Sequence, residues 1–450
     1  MSGERQRVVI VGAGLAGSAL AAMLGRRGVP VDVYERRADP AEIAARGGAR
    51  SINLGISERG MRVLRDLGLA GTLAGRMVPM RGRAVHQSGG RLTFHPYGTH
   101  DHEILHSILR HDLNEALMDL ARSHDSVRFV FHSRLSSLDL EAPKAAFVDE
   151  RTGEPTVVAA DVVIGADGVN SAVRREMQRG TQANFRKEFL EWGYREFAIP
   201  APAHGEHARL EAFHVWPAAN AMVVAQPNRD RSMTGTVFLP LTGEDSFATL
   251  TQPDRIVAFF DQYFPDLRSL VPDLVAQFAA KPVGHLVSVR TSPWSHADRT
   301  VLIGDACHAV YPFYGQGMNA ALEDCVALDE CLTEHPADLG TAFRAYEQRR
   351  RPHTDVLADL SIQQFAELRD GLRSPLFRAR RQADLLLHRL FPAAWQPLYT
   401  LVSHTTTPYA DALRQARRQD RLLTVAASAV AVTVAGALAR GALRELGGRR

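Results

Sequence analysis

Three glycines at G-x-G-x-x-G spacing, Gly12, Gly14 and Gly17, form the stretch best suited to hold a phosphate-bearing ligand. Gly12 allows a tight turn. Gly14 lets a pyrophosphate approach the backbone, and Gly17 lets the following helix pack closely on the preceding strand. The exposed N–H groups and dipole of that helix start favour an anion. Glu35 stands 18 residues beyond Gly17, about where an acid takes ribose hydroxyls. The elements around them fit. Val8-Val9-Ile10-Val11 reads as a buried parallel strand, Ser18 to Leu24 as a helix, and Val31 to Glu35 as a second strand. Together they predict a dinucleotide-binding βαβ unit rather than a glycine-rich turn without a ligand.

Other residues able to do chemistry are scattered. Arg81–His86 and Arg91–Tyr97 read as a hairpin turning near Gly89–Gly90, which sets Arg83 roughly opposite Tyr97. A cation and a phenol so placed can hold a carboxylate; from spacing alone, a solvated surface pair is the simpler reading. Arg110 precedes a helix in which Asp112 and Glu115 have capping-box spacing, and by itself it reads as a surface arginine. Asp161–Ile164 is a third strand running into Gly165–Ser171, where Asp167-Gly168 signals a turn. Thr300–Asp305 is a further strand ending in Gly304-Asp305, and Asp305 can hold a polyol hydroxyl. The segment Gly315–Asn319 opens a helix with Met318, Ala321, Leu322, Cys325, Leu328 and Leu332 on one face. His308 has no second histidine at ligand spacing, so it reads as structural and no metal is expected.

Composition bounds the function. The 450 residues are 45% apolar and 23% charged, an ordinary globular balance with room for two or three domains. A net charge of +3, with no basic run interleaved with aromatics, gives no case for nucleic acid. Cys307, Cys325 and Cys331 have no metal or redox spacing and are expected to be reduced, in a cytosolic setting. The first strand follows the N-terminus directly, so no signal peptide is expected.

The texture changes along the chain. Arg36 to Arg50 is charged and reads as a surface connection. From about 185 to 290, runs such as Phe213–Pro217, Ala221–Gln226 and Gly235–Leu239 predict an inserted β-rich domain, with Trp216 and Phe238 as core aromatics. Residues 341 to 421 read as helices with a break at Pro352. The expected domains are 1–180 and 291–350 for the dinucleotide unit, 181–290 for the insert, 351–421 for C-terminal helices and 422–450 for a tail. Leu422 to Ala439 is 18 residues without a charge, flanked by arginines. At about 1.5 Å per residue it barely matches a bilayer core, and it predicts a membrane-anchoring or membrane-surface helix, with a docked helix as the alternative.

The glycine turn Gly12–Gly17, the Gly165–Ser171 stretch and Gly304-Asp305 together resemble the single-component flavoprotein aromatic hydroxylases. Arg50–Leu54, Pro79–Arg83, Pro96–Gly98, Phe213–Pro217, Pro312–Asn319 and Pro397–Thr400 look like the kynurenine-hydroxylating branch of that family. The resemblance runs from about residue 7 to 420. It implies an α/β fold: a Rossmann-like FAD-binding domain, an inserted β-sheet substrate domain and a C-terminal helical region. It implies bound FAD, transient NADPH, O₂ and a small aromatic amino-acid substrate. The implied reaction converts L-kynurenine to 3-hydroxykynurenine through a flavin C4a-hydroperoxide. The resemblance implies FAD contacts from Gly12, Gly14, Leu15, Ala16, Gly17, Glu35, Arg36, Gly55, Arg110, Leu135, Asp305, Gly317, Met318 and Asn319. It implies substrate contacts from Arg83, Tyr97, Gln226, Phe238, Phe313, Tyr314, Gln364 and Tyr399, with no side chain assigned as acid or base. Gln364 stands where the family usually has asparagine, and Gln226 where an apolar residue is expected. The alternative is therefore a same-fold hydroxylase of a related aryl amine or aminoaroyl amino acid.

Overall fold

The computed structural model describes residues 7–45, 52–87, 90–142, 144–180, 182–201, 210–369 and 375–425. Its first layer is a six-stranded sheet with Val8–Val11 near its centre. That strand pairs in parallel with Val31–Tyr34 on one side and Val162–Gly165 on the other. Val127–Val130 and Thr300–Leu302 extend the parallel order, and Ser295–His296 closes one edge antiparallel. Val8–Val11 is buried at every position, as expected of a strand covered on both faces. The helix Leu15–Arg26 packs on this sheet with ten of its residues buried.

The second layer is a seven-stranded sheet in the order 284–292, 184–199, 233–240, 222–227, 212–217, 82–86, 92–96. Its last two strands come from the hairpin Gly82–His86 and Leu92–Pro96, which joins parallel to Ala212–Pro217. The insert is thus completed by residues from the first dinucleotide segment. Side chains alternate between faces. Trp216, Val223, Val237 and Leu239 pack with the helices Pro253–Tyr263, Pro265–Leu270 and Leu274–Ala280, which the sequence reading of this region as β-rich had not separated. Val215, Met222 and Phe238 pack the other way, with Phe313, Phe365 and Leu368.

Four local expectations change. Arg36–Arg50 contains a short helix, Pro40–Ala45. The helix Arg110–Arg122 is capped by Leu109 without a side-chain bond, because Asp112 lies inside its first turn, so the capping box does not form. The helix Gly317–Glu334 is buried around most of its circumference, Asp324 and Ala327 included, because neighbours cover more than one side. The helix Leu339–Arg369 passes straight through Pro352, with Tyr346, Arg350, Thr354 and Leu357 buried on either side of it. Tertiary burial there outweighs the hydrogen bond a helical proline removes. Leu398–Ser403 and a helical stretch over 409–425 complete the C-terminal region. Residues 426–450, which hold most of the charge-free run, lie outside the described residues, and no helix among the described residues is long and apolar enough to cross a membrane.

Candidate active site

A cavity of about 500 Å³ lies between the two sheets. One end is the glycine turn. Gly12 takes φ +104°, and a Cβ there would lie 2.5 Å from the Ala166 carbonyl oxygen; at Gly17 it would lie 1.9 Å from that of Gly12. A Cβ on Gly14 would meet nothing within 4 Å, and Gly14 lines the cavity. Two glycines close the turn upon itself while the third leaves room for a ligand against the backbone. Glu35 accepts the Ala13 N–H at 2.9 Å and that of Arg37 at 2.9 Å, which holds its carboxylate beside the turn.

Leu15, Ala16, Gly55, Arg110, Asp305, Gly317 and Met318 also line the cavity. Gly315, left-handed at φ +67°, turns the chain out of the 3₁₀ turn Pro312–Tyr314 ahead of the helix Gly317–Glu334. The unpaired N–H groups of that helix start lie at the cavity wall. The Asp305 carboxylate opens to the lumen; enclosure by protein raises its pKa, while His308 and Arg110 pull it down. These residues fit a flavin dinucleotide along their length: glycine clearance for a pyrophosphate, Glu35 behind the turn though outside the cavity wall, the Asp305 carboxylate for hydroxyls, and a helix start for the flavin end.

The other end is built by side chains. Arg83 is 7% exposed. Its Cζ lies 4.7 Å from the ring centre of Tyr399 and 5.8 Å from that of Tyr97. Its Nε has no hydrogen-bond partner, although Arg83 lines the cavity. A guanidinium held in a largely enclosed cavity wall calls for a counter-charge, and an anion answers it best. The Tyr97 and Tyr399 centres are 5.4 Å apart, and those of Tyr314 and Tyr399 are 5.8 Å apart. Burial pushes the Tyr97 and Tyr314 hydroxyls well up, so they stay protonated donors. Phe213, Met222, Phe238, Leu286 and Phe313 form an apolar wall.

The strand register differs from the expectation. Arg83 pairs with His95, and Tyr97 N–H donates to the Arg81 carbonyl, so Tyr97 is diagonal to Arg83 on the same face. The two still meet, since diagonal neighbours lie within reach of long side chains.

Not all of the other named residues line the cavity. Gln226 lines the cavity, with its Oε1 accepting from Ser107 Oγ at 3.4 Å. Gln364 is buried with Nε2 unpaired, but it is not in the cavity wall; Leu368, one turn on, is. Asn319 faces the protein: it accepts from Ser57 N–H at 3.0 Å and donates to the Gly55 and Gly315 carbonyls at 3.0 and 2.9 Å. It ties two stretches of cavity wall together. Leu135 is packed in the core of the first domain, Arg36 is exposed, and neither lines the cavity. Asp167 binds the start of the helix Ala172–Gly180, accepting from Ser171 Oγ at 2.5 Å and from Ala172 N–H at 2.6 Å. His308 bonds Asp324 at 2.5 Å, and Asp324 is also held by Arg350 at 2.7 Å.

Sequence reasoning missed Tyr194, Glu196 and His285 in the cavity wall. The alternation of Tyr194 and Glu196 along Asn184–Ile199 was the available signal. It also missed Glu367 and Arg381, which act electrostatically on Arg83 and Tyr97 from two helices. Nor did it find Arg59, 1% exposed, which donates to the Val402 carbonyl at 2.9 Å, to that of Thr407, and to Glu323 at 2.9 Å. That contact fastens the helix bearing Tyr399 to the dinucleotide domain.

A parallel sheet with a glycine turn, a second sheet facing it and a cavity shared between them define an FAD-binding flavoprotein of the aromatic-hydroxylase fold. The comparisons agree. A family model described as "FAD binding domain" matches residues 5–361. The chain is 53% identical to kynurenine 3-monooxygenase of Salinispora tropica, covering 100% of this chain and 99% of that one. It is 41% identical to the enzyme of that name from Stenotrophomonas maltophilia, over 93% of this chain and 91% of that one. Among solved structures, 2-methyl-3-hydroxypyridine-5-carboxylic acid oxygenase aligns with a TM-score of 0.65 at 22% identity, over 83% of this chain and 95% of that one. PqsL of Pseudomonas aeruginosa, in complex with 2-aminobenzoylacetate, aligns at 0.64 and 22%, over 82% and 98%. These last two likenesses show the fold alone. The chain belongs to the kynurenine 3-monooxygenase family.

Proposed function

We propose that this protein is an FAD-dependent, NADPH-using monooxygenase that converts L-kynurenine to 3-hydroxykynurenine. Buried Arg83, its guanidinium set between Tyr97 and Tyr399 in the wall of a cavity it shares with the glycine turn, carries the reading. FAD supplies the redox chemistry, taking electrons from NADPH and activating O₂. The protein positions and shields. The Gly12–Gly17 turn and Glu35 hold the nucleotide, and Arg110, Asp305 and the segment Gly315–Met318 hold the flavin end. Arg83 takes the substrate carboxylate between Tyr97 and Tyr399. Phe238, Phe313 and Met222 hold the aromatic ring and exclude water. No side chain is assigned as acid or base at the reacting carbon. One dinucleotide turn serves FAD, so the nicotinamide visits transiently. The test is NADPH consumption by the purified yellow protein with and without L-kynurenine, with the product identified. Stimulated consumption and a 3-hydroxylated product are expected; stimulation without oxygen insertion, or none, would contradict the reading.

Gln226 supports a second reading, a hydroxylase of a related aryl amine or aminoaroyl acid, because its amide stands in the cavity wall. A panel of ortho-amino aromatic acids separates the two by kcat/KM. We also infer that the charge-free run 422–439 brings the protein to a membrane. Deleting 422–450 is then expected to move it from the membrane fraction to the soluble fraction; a wholly soluble full-length protein would refute this.

A further inference from the structure

The loop after Tyr97 encloses a group of side chains that the cavity does not use. Glu103 is 3% exposed and His388 is 2% exposed. Glu103 Oε2 accepts the Thr99 and His100 N–H groups at 2.6 and 2.8 Å, and its Oε1 lies 2.9 Å from His388 Nε2. Gly98 makes room for this, since a Cβ there would fall on the Glu103 carboxylate. His388 Nδ1 lies 2.7 Å from the Trp395 carbonyl, which only accepts, so Nδ1 carries a proton and Nε2 turns toward the carboxylate. The His100 ring stands edge-on to that of His388, with centres 5.4 Å apart, and His100 is exposed. One ligand atom from each of His100, Glu103 and His388 lies within 4.8 Å of the others. None of the three lines the cavity.

We propose that His100, Glu103 and His388 bind a divalent transition-metal ion of the Zn²⁺ type, fastening the helix Pro375–Leu390 to the loop that carries Tyr97. Two imidazoles and a carboxylate are a donor set that Zn²⁺ takes, with a fourth position left for water. The outer contacts are those that orient such ligands: a backbone carbonyl on the far nitrogen of His388, and two amides on the far oxygen of Glu103. The exposed His100 gives an ion a way in from solvent. Among the described residues a second group, Cys307, His308 and Asp324, is also close together. It differs in that an arginine, Arg350, already neutralises Asp324, and burial keeps the Cys307 thiol protonated.

The test uses the FAD-loaded full chain, stripped with EDTA and titrated with Zn²⁺ and separately with Co²⁺. One Zn²⁺ per chain is expected, and Co²⁺ should give the visible d–d absorption of a nitrogen- and oxygen-ligated site. His100→Ala changes only an exposed ring, and is expected to weaken uptake at least about tenfold. His388→Gln is expected to abolish it, with circular dichroism separating a lost site from a lost fold. No uptake by the unmodified protein would leave a histidine–carboxylate hydrogen bond only and overturn the proposal. Uptake unchanged in His100→Ala would place the ion elsewhere and overturn it equally.

Discussion

The two ends of the cavity are built on opposite plans. The nucleotide end is made of backbone from residues close in sequence, and its chemistry lies in missing side chains: Gly12, Gly14 and Gly17. The substrate end is made of side chains from segments far apart, with Arg83 and Tyr97 from a hairpin, Phe238 from the large sheet and Tyr399 from a C-terminal helix. At Gly12 and Gly17 the first end should reject any added atom whatever its charge. The second should tolerate changes of shape better than the loss of a charge.

The strongest way to break this contrast is Gly17→Val. Its Cβ would lie 1.9 Å from a backbone oxygen that cannot swing aside. A cost of about 3 kcal/mol or more is expected, with loss of bound flavin; a wild-type flavin-to-protein ratio would overturn the account of that end. Arg83→Ala should do the reverse, keeping the flavin while raising KM for L-kynurenine. Removing the partner of a buried carboxylate costs about 2–5 kcal/mol, at least about thirtyfold in KM. An unchanged KM would remove Arg83 from the site.

Acidification sharpens the contrast. The His404 ring centre lies 5.8 Å from those of Tyr97 and Tyr399. Burial pushes its pKa down to about 4, against 6.5 for a free imidazole. The folded protein holds this ring neutral, while the unfolded chain protonates it at the higher pH. Its stability contribution is therefore full above pH ~6.5 and is lost as pH falls toward ~4, by up to about 3 kcal/mol. Urea unfolding at neutral and mildly acid pH measures this, and His404→Phe should flatten the dependence; an unaltered slope would acquit His404. The smallest effect is expected from Tyr399→Phe, about 1 kcal/mol for one hydroxyl, or roughly fivefold in KM.

The same contrast explains what could be read from the sequence. The glycine turn, its flanking strands and Asp305 were legible because spacing and apolar runs are local signals. Residues such as Phe313 and Tyr399 were placed through family resemblance. Pairing with His95 rather than Tyr97 put Arg83 in a register that turn residues alone do not determine. Asn319 belongs to the named motif, yet its amide bonds Ser57, Gly55 and Gly315, an arrangement only the folded chain reveals. Arg59 and Arg381 carried no local mark, because each acts across more than 250 residues, from Arg59 to Glu323 and from Arg381 to Arg83. Pro352 misled because burial on both sides keeps its helix whole.

The central claim is that flavin and substrate carboxylate share one cavity, the first held by the glycine turn and the second by Arg83. Titrating the flavin-loaded protein with L-kynurenine while recording the visible flavin spectrum tests it most directly. A saturable perturbation is expected, shifted to at least about thirtyfold higher concentration in Arg83→Ala at equal flavin content. No perturbation, or the same titration curve in both proteins, would contradict it.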